Sequence, residues 1–266
     1  MIDRLLPQES PVALSFNGTT EAVMMATPED LDDFGVGFAL TEGIVESIQD
    51  ITGLNVVALD DGFDVQMHLA PARESILKQR RRTASGPVGC GLCGIESIEA
   101  ALRELPQLIG KGFAISPEQI SEAVGALSNN QPLRNRVGAI HGAGYWHGRR
   151  GLVAVREDVG RHNALDKLVG ALAQENVELG EGALVISSRV SVDMVQKAVL
   201  AGAPMLIAVS APTDLAVKTA ASAGLTLVAL ARGDTFEVFC HPKRVSDSLA
   251  DDGDKQVQRE ENSNVA

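Results

Sequence analysis

Residues 183–230, ALVISSRVSVDMVQKAVLAGAPMLIAVSAPTDLAVKTAASAGLTLVAL, decide the fold of this chain. Short apolar runs alternate there with segments of helical spacing: the runs are 183–186, 205–209 and 225–230, and the helical segments are 193–201 and 215–223. Apolar strands separated by short helices are typical of β-α-β units, which build a parallel sheet. The stretch therefore predicts an α/β protein, with a parallel or mixed sheet covered by helices.

The carboxyl ends of these predicted strands are polar. In open α/β sheets, this is the edge where ligands bind. Arg232 follows the last apolar run and is succeeded by Gly233, Asp234 and Thr235. These residues are either a plain turn into an edge strand or the place where a nucleotide phosphate meets the sheet.

The first part of the chain has an antiparallel pattern. Asn17-Gly18 and Asp61-Gly62 each separate two strand-like runs, which is a strong hairpin signal. Between the two hairpins, Thr27 followed by Pro28 predicts a helix with Thr27 as its N-cap.

One α/β domain is predicted over residues 8–246. It comprises an antiparallel N-terminal part, 8–82, and a second part, 83–246, that contains a Cys-x-x-Cys loop and the β-α-β core. Residues 247–266 are polar and acidic, so we predict a disordered tail there.

The formal net charge of −12 argues against a general affinity for nucleic acid or for anionic membrane surfaces. Residues 1–11 contain no apolar run of signal-peptide length, and no stretch elsewhere has the length of a membrane span. Three cysteines cannot build a disulfide framework of the secreted kind. The protein is therefore expected in the cytoplasm, with no nucleic acid and no membrane among its partners.

Cys90 and Cys93 form the clearest chemical motif. They lie in a glycine-rich loop, 83–94, that opens into a segment of helical spacing as far as Leu105. A helix N-terminus offers free N–H groups and a positive dipole end, which stabilise a thiolate. Sulfur transfer needs such a thiolate, because the sulfur must be held as a persulfide that donor and acceptor reach in turn.

Three other chemistries also use a Cys-x-x-Cys pair: structural zinc binding, disulfide exchange and zinc-dependent deamination. A zinc site would need two more ligands, for which Cys240 and His241 are the candidates. A thioredoxin-like oxidoreductase would have its motif after a strand near the chain start, a context that is missing here. A zinc deaminase would need a His-x-Glu motif, which the sequence lacks. We expect no metal.

Residues 156–168 crowd charged and amide side chains into a strand-to-helix junction. The junction is either a solvated helix start or a site where Arg161 and His162 grip an anion. His141, at the end of a run of small residues, is either a structural histidine or a ligand contact.

Together these segments resemble the FdhD family of formate dehydrogenase accessory sulfurtransferases. The likeness spans about residues 10–245 and is strongest at 89–97, 157–168, 194–198, 210–213, 231–233 and 241–242. It implies a cytidine-deaminase-like α/β fold without the deaminase metal site, and a homodimer. The chain departs from the family pattern at Gly142 and Gly144, in a run usually richer in Ala, and in its long acidic tail.

The resemblance also implies an activity. Family members accept sulfur from a cysteine desulfurase and deliver it to the molybdenum cofactor, bis-molybdopterin guanine dinucleotide, before that cofactor enters formate dehydrogenase. Cys90 becomes the persulfide carrier, and Cys93 relays the sulfur or resolves the persulfide as a disulfide. The implied cofactor-binding residues are Leu230, Ala231, Arg232, Gly233, Asp234 and Thr235, with His141, Arg161 and His162 as weaker candidates.

Two other functions remain as alternatives. A non-catalytic chaperone would hold the cofactor for formate dehydrogenase without using the thiols. A redox oxidoreductase would cycle a Cys90–Cys93 disulfide against a protein dithiol.

Overall fold

A computed structural model describes residues 5–83, 103–108 and 113–246, and the side chains of 78–83 are outside that description. Cys90, Cys93, the acidic tail and the helical segment expected after the cysteines, as far as residue 102, lie outside the described residues. What was predicted for them, and the extent of the single domain, stay predictions. Residues 103–108 are described and are not helical, so the prediction of helical spacing as far as Leu105 was wrong.

The N-terminal part forms a four-stranded sheet in the order β2-β1-β4-β3. Its strands are β1 (Ser10–Phe16), β2 (Thr19–Ala26), β3 (Ile51–Leu59) and β4 (Gly62–Leu69). Both predicted hairpins are confirmed, and Asn17 and Gly18 have the positive φ angles, 49° and 77°, of a type I′ turn. Because β1 and β4 pair in parallel, the sheet is mixed rather than purely antiparallel.

Gly62 serves the second hairpin in a different way from the one predicted. The turn lies at residues 60–61, and Gly62 is already the first residue of β4. A Cβ atom at Gly62 would lie 2.3 Å from the carbonyl oxygen of Pro11 in β1. The glycine is therefore required by close strand packing and not by the turn.

The first helix, α1 (Leu31–Thr41), has Asp30 as its N-cap, so the prediction of Thr27 was wrong. Thr27 is engaged elsewhere. Its N–H donates to Asp158 Oδ2 at 2.9 Å, and its Oγ1 accepts the N–H of Val159 at 3.2 Å. A long-range contact has replaced the local cap.

The second sheet is six-stranded, in the order β10-β9-β8-β7-β5-β6. Its strands are β5 (His141–His147), β6 (Gly151–Asp158), β7 (Gly182–Ile186), β8 (Met205–Ala208), β9 (Thr226–Arg232) and β10 (Thr235–Cys240). The remaining α-helices of the described ranges are α2 (Pro71–Thr83), α3 (Pro117–Asn129), α4 (Pro132–Val137), α5 (Arg161–Gln174), α6 (Val192–Leu200) and α7 (Asp214–Ala223). Strands β7, β8 and β9 are parallel, so the predicted α/β class and its β-α-β core are confirmed.

Helices cover both faces of the second sheet. Along β7, Leu184 and Ile186 join a core with α5, α6 and α7, whereas Ala183 and Val185 face α3. The other sheet packs on α1. No helix within the described ranges is both long and apolar enough to cross a membrane.

The two sheets are joined where α1 crosses α5. A Cβ at Gly37 of α1 would lie 1.7 Å from the carbonyl oxygen of Asp166, and one at Gly170 of α5 would lie 1.9 Å from that of Asp33. The backbones therefore touch at this crossing. The contact fixes α5 against the N-terminal part, and α5 begins at the site described next.

Candidate functional site

One edge of the second sheet collects most of the predicted site residues. His141, the first residue of β5, pairs with Asp158, the last residue of β6. On the other side of β5, Gly142 donates its N–H to Ser187 Oγ at 2.9 Å and accepts the N–H of Ser187 at 3.0 Å. The start of β5 thus meets the carboxyl ends of β6 and β7, which is the edge of the sheet where ligands bind in open α/β folds.

Arg161 and His162 lie next to this edge, in the first turn of α5. That turn contains no acidic residue, although a helix N-terminus favours negative charge. Asp158 shapes the turn, because its Oδ1 accepts the N–H of Gly160 at 2.7 Å and an N–H of Asn163 at 2.9 Å. The helix end therefore adds its positive potential to that of the basic side chains and suits an anion.

A buried ion pair holds the start of α5 in place. Lys167 Nζ lies 2.7 Å from Asp158 Oδ2, and neither side chain is exposed. Lys167 also donates to the carbonyl oxygen of Thr27 at 2.8 Å. The pair thereby neutralises Asp158 and ties the β6–α5 junction to the segment between β2 and α1.

Unpartnered donors concentrate at the same edge. Among the described residues, five buried side-chain nitrogen or oxygen atoms have no hydrogen-bond partner, and three of these are Gln131 Nε2, Arg161 Nε and His162 Nε2. His162 Nε2 lies 3.7 Å from Asp193 Oδ2, which is an ion-pair distance but too long for a good hydrogen bond. Buried donors without acceptors are costly. A ligand that supplies hydrogen-bond acceptors at this edge would therefore be stabilised.

The electrostatic potential at His141 is positive. Burial lowers the pKa of His141, and the charges of Arg161 and Arg134 lower it further, against the opposing effect of Asp158. The pKa of the Asp193 carboxyl is lowered by its contact with His162. At His141 the charges of Arg161, Arg134 and His162 act against that of Asp158 alone, so this point of the edge suits an anionic ligand.

Gln131 and Arg134 were not recognised in the sequence. Arg134 Nη1 donates to Gln131 Oε1 at 3.0 Å, and the buried Gln131 side chain packs over Gly142. A Cβ at Gly142 would lie 2.2 Å from Gln131 Nε2, so an alanine there would displace the Gln131 amide. No local sequence pattern predicts the contact of Gln131 with Gly142, because α4 and β5 come together only in the folded chain.

The predicted loop 230–235 occupies the far end of the same edge. Arg232, the last residue of β9, is exposed, and its Nε donates to the carbonyl oxygen of Val209 at 3.3 Å. Leu230 has a φ of 55°, a strained conformation for a branched side chain, of the kind that clusters at functional sites. Three strand spacings separate β9 from β5, about 14 Å, so Arg232 and His141 are not in contact.

Cys240 and His241, the candidates for a zinc site with the cysteine pair, are engaged within the fold. The thiol of Cys240 donates to the carbonyl oxygen of Leu225 at 3.1 Å, and burial raises its pKa. His241 Nε2 lies 3.0 Å from the carbonyl oxygen of Ala221, to which it donates. In the part of the chain that the structure describes, no group of three His, Cys, Asp or Glu is placed to hold a metal.

Comparison with known proteins gives one family. Residues 7–246 match the model of the FdhD/NarQ family. A sulfur carrier protein FdhD from Agrobacterium fabrum is 51% identical over 243 residues, covering 91% of this chain and 90% of the relative. One from Brucella abortus is 54% identical over 245 residues, covering 92% of this chain and 91% of the relative.

The fold is similar to the crystal structure of a protein from Desulfotalea psychrophila described as a formate dehydrogenase accessory protein. The TM-score is 0.70, the sequence identity is 24%, and the match covers 91% of both chains. The chain therefore belongs to the FdhD/NarQ family.

Proposed function

We propose that this protein is a sulfurtransferase that carries sulfur, as a persulfide on Cys90, from a cysteine desulfurase to the molybdenum cofactor destined for formate dehydrogenase. Its relatives bear the name sulfur carrier protein, and its structural neighbour is described as a formate dehydrogenase accessory protein. Both names support sulfur carriage in the service of formate dehydrogenase. The persulfide, the cofactor and the desulfurase are the finer parts of the proposal.

The observation that supports a nucleotide-bearing cargo is the set of unpartnered donors at the sheet edge. Bis-molybdopterin guanine dinucleotide carries pyrophosphate groups, whose oxygens are acceptors. Arg161 Nε is a buried donor without a partner at the positive end of α5, and His162 Nε2 has no hydrogen bond and only the 3.7 Å ion-pair contact with Asp193 Oδ2. A phosphate oxygen would satisfy them, with His141 beside it and Arg232 available to a more distant part of the same ligand.

The transfer itself requires only thiol chemistry. The Cys90 thiolate attacks the terminal sulfur of a desulfurase persulfide, the desulfurase thiolate leaves, and Cys90 then holds the sulfur. Cys93 either takes the sulfur over in the same way or attacks the Cys90 sulfur atom. In the second case a Cys90–Cys93 disulfide forms and the carried sulfur leaves as hydrosulfide.

The proposal extends to the setting of the reaction. Desulfurase, cofactor and apo-formate dehydrogenase meet before the cofactor is enclosed by the enzyme, so we place the protein in the cytoplasm. We also propose that it acts as a homodimer, as the family resemblance implies.

Sulfur loading tests the role of Cys90. The full chain is incubated with a cysteine desulfurase and labelled cysteine, and intact mass spectrometry counts the sulfur atoms gained. We expect one labelled sulfur on the wild type and on a Cys240→Ser control, and none on Cys90→Ser. Equal loading of Cys90→Ser would refute the assignment.

Complementation separates the carrier from the chaperone. In a cell that lacks its own accessory protein, Cys90→Ser should fail to restore formate dehydrogenase activity. If it restores activity while loading no sulfur, the protein holds the cofactor without sulfurating it.

A further inference from the structure

We propose that Arg134 is an additional phosphate-binding residue of this chain, positioned by Gln131 in the space that Gly142 leaves open. The inference rests on the proposed function, because the phosphate belongs to the nucleotide part of the proposed cargo. It adds two residues, from α4 and from the turn before it, that neither the sequence patterns nor the family resemblance assigned.

The orientation of Arg134 is fixed at both ends. Its backbone N–H donates to Glu157 Oε1 at 2.9 Å, and its Nη1 donates to Gln131 Oε1 at 3.0 Å. A guanidinium group has five N–H donors and no acceptor, so one bond to Gln131 leaves others for a ligand. Because Arg134 is exposed, an anion from solution can reach them.

Gln131 is the support for this arginine. A guanidinium can only donate, so Gln131 must turn its Oε1 toward Arg134 and its Nε2 away from it. Nε2 is then left buried without a partner, over Gly142. Gln131 is 0% exposed, so leaving Nε2 without an acceptor is costly. We infer that this cost is tolerated because the same amide holds Arg134 through Oε1.

Within the described residues, neither Glu157 nor Asp158 forms an ion pair with Arg134. Glu157 uses both oxygens to accept the backbone N–H groups of Leu133 and Arg134, at 2.8 and 2.9 Å. Asp158 is paired with buried Lys167. The charges of Arg134, Arg161 and His162 all act on His141, so basic side chains from α4, β5 and α5 lie around the start of β5.

A phosphate group fits this arrangement better than a carboxylate does. It has more acceptor oxygens, and they point in directions that donors from three separate elements can reach. Inorganic pyrophosphate and GDP are therefore the probes, the first for the anion alone and the second for the anion attached to a nucleoside.

Isothermal titration of the full chain with pyrophosphate and GDP tests the role of Arg134. Arg134→Gln should weaken both ligands about ten-fold, the loss of one charge-assisted contact. Arg136→Gln is the matched control, because it removes the same charge from the same helix. It should change affinity by less than about two-fold. Equal losses for both variants, or no loss for Arg134→Gln, would overturn the proposal.

A double-mutant cycle tests the role of Gln131. Gln131→Leu should weaken pyrophosphate binding in the wild type and have no further effect in Arg134→Gln, because its influence passes through the guanidinium. Gly142→Ala should act like Gln131→Leu, since the new methyl group displaces the amide. Thermal unfolding of each variant confirms that the chain is folded. Additive losses for Gln131→Leu and Arg134→Gln would show that Gln131 does not position Arg134.

The same variants separate this inference from the proposed function. Sulfur loading of Cys90 is measured beside nucleotide binding. If Arg134→Gln loads sulfur normally and binds pyrophosphate and GDP like the wild type, the inference about Arg134 is wrong and the sulfur-carrier proposal is unaffected. A wild type that binds GDP through Arg134 but takes up no sulfur defeats the sulfur-carrier proposal and leaves the binding residue standing.

Discussion

Lys167 Nζ and Asp158 Oδ2 lie 2.7 Å apart in a fully buried ion pair at the junction of β6 and α5. Asp158 also accepts the N–H groups of Thr27 and Gly160. The pair therefore determines where α5 begins and, through that, where Arg161 and His162 lie. The position of these two basic side chains therefore depends on a lysine that is itself fully buried.

Lys167→Met should be strongly destabilising, because it leaves the Asp158 carboxylate buried without its counter-charge. We expect a loss of about 3–5 kcal/mol in the free energy of unfolding, measured with urea. Lys218→Met is the control, since Lys218 pairs with Asp214 at the surface, where both side chains are mostly exposed. It should cost about 0–1 kcal/mol. Similar costs for the two variants would contradict the importance of the buried pair.

Gly37→Ala should also destabilise the protein, through the crossing of α1 and α5. The new Cβ would lie 1.7 Å from the carbonyl oxygen of Asp166, which is backbone and cannot rotate away. We expect a cost of about 1–3 kcal/mol or more. Gly125→Ala in α3, where no atom lies within 4 Å of the new Cβ, should instead stabilise the helix. Its gain should be about 0.5–1 kcal/mol, and urea unfolding compares the two.

Local signals predicted much of the fold. The apolar runs at 183–186, 205–209 and 225–230 became β7, β8 and β9, because hydrophobic period and length are properties of the segment itself. The turn at Asn17-Gly18 was equally local. The cap at Thr27 failed because Asp158, 131 residues away, takes up its N–H. A single sequence gives no sign of such a partner.

The candidate site was predictable only in part. Arg161 and His162 were recognisable as candidates for anion binding and His141 as a candidate ligand contact, and the pairing of β5 with β6 brings them near one another. Gln131 and Lys167 gave no signal. A lysine in a helix is normally solvated, and only the folded chain shows that Lys167 is buried against an aspartate from another element.

The charged cluster of Glu42, Lys197 and Arg103 should make stability depend on pH. Burial alone would raise the pKa of the Glu42 carboxyl, but Lys197 and Arg103 outweigh burial and lower it from 4.5 to about 2. The Glu42 carboxylate therefore stabilises the fold fully above its unfolded pKa, and this contribution is lost as the pH falls from 4.5 toward 2.

Glu42→Gln removes that contribution. The difference in free energy of unfolding between the wild type and this variant should be largest at neutral pH and should shrink in acid, as urea titrations at several pH values would show. Asp166, also bonded to Lys197, is present in both proteins, and the charge of Glu42 contributes to its raised pKa. The difference therefore reports on Glu42 together with its coupling to Asp166. A difference that stays constant down to the folded pKa would mean that Glu42 is not held as a carboxylate by these cations.

Anion binding at the sheet edge should be coupled to proton uptake by His141. In the free protein, burial and the charges of Arg161 and Arg134 keep the pKa of His141 below 6.5, with His162 acting in the same sense and Asp158 opposing them. A bound pyrophosphate offsets those positive charges and raises the pKa of His141. Binding therefore favours the protonated imidazole, and affinity should rise as the pH falls toward the free-state pKa.

Calorimetry in buffers of different ionisation enthalpy counts the protons that accompany pyrophosphate binding. Pyrophosphate itself titrates near neutral pH, so the informative quantity is the difference between the wild type and His141→Gln. The variant should lose the histidine's share of the uptake, whereas His68→Gln, at an exposed position on β4 in the other sheet, should match the wild type. Equal proton counts for the wild type and His141→Gln would mean that the anion binds away from His141, because no charge placed beside that imidazole could leave its pKa unchanged.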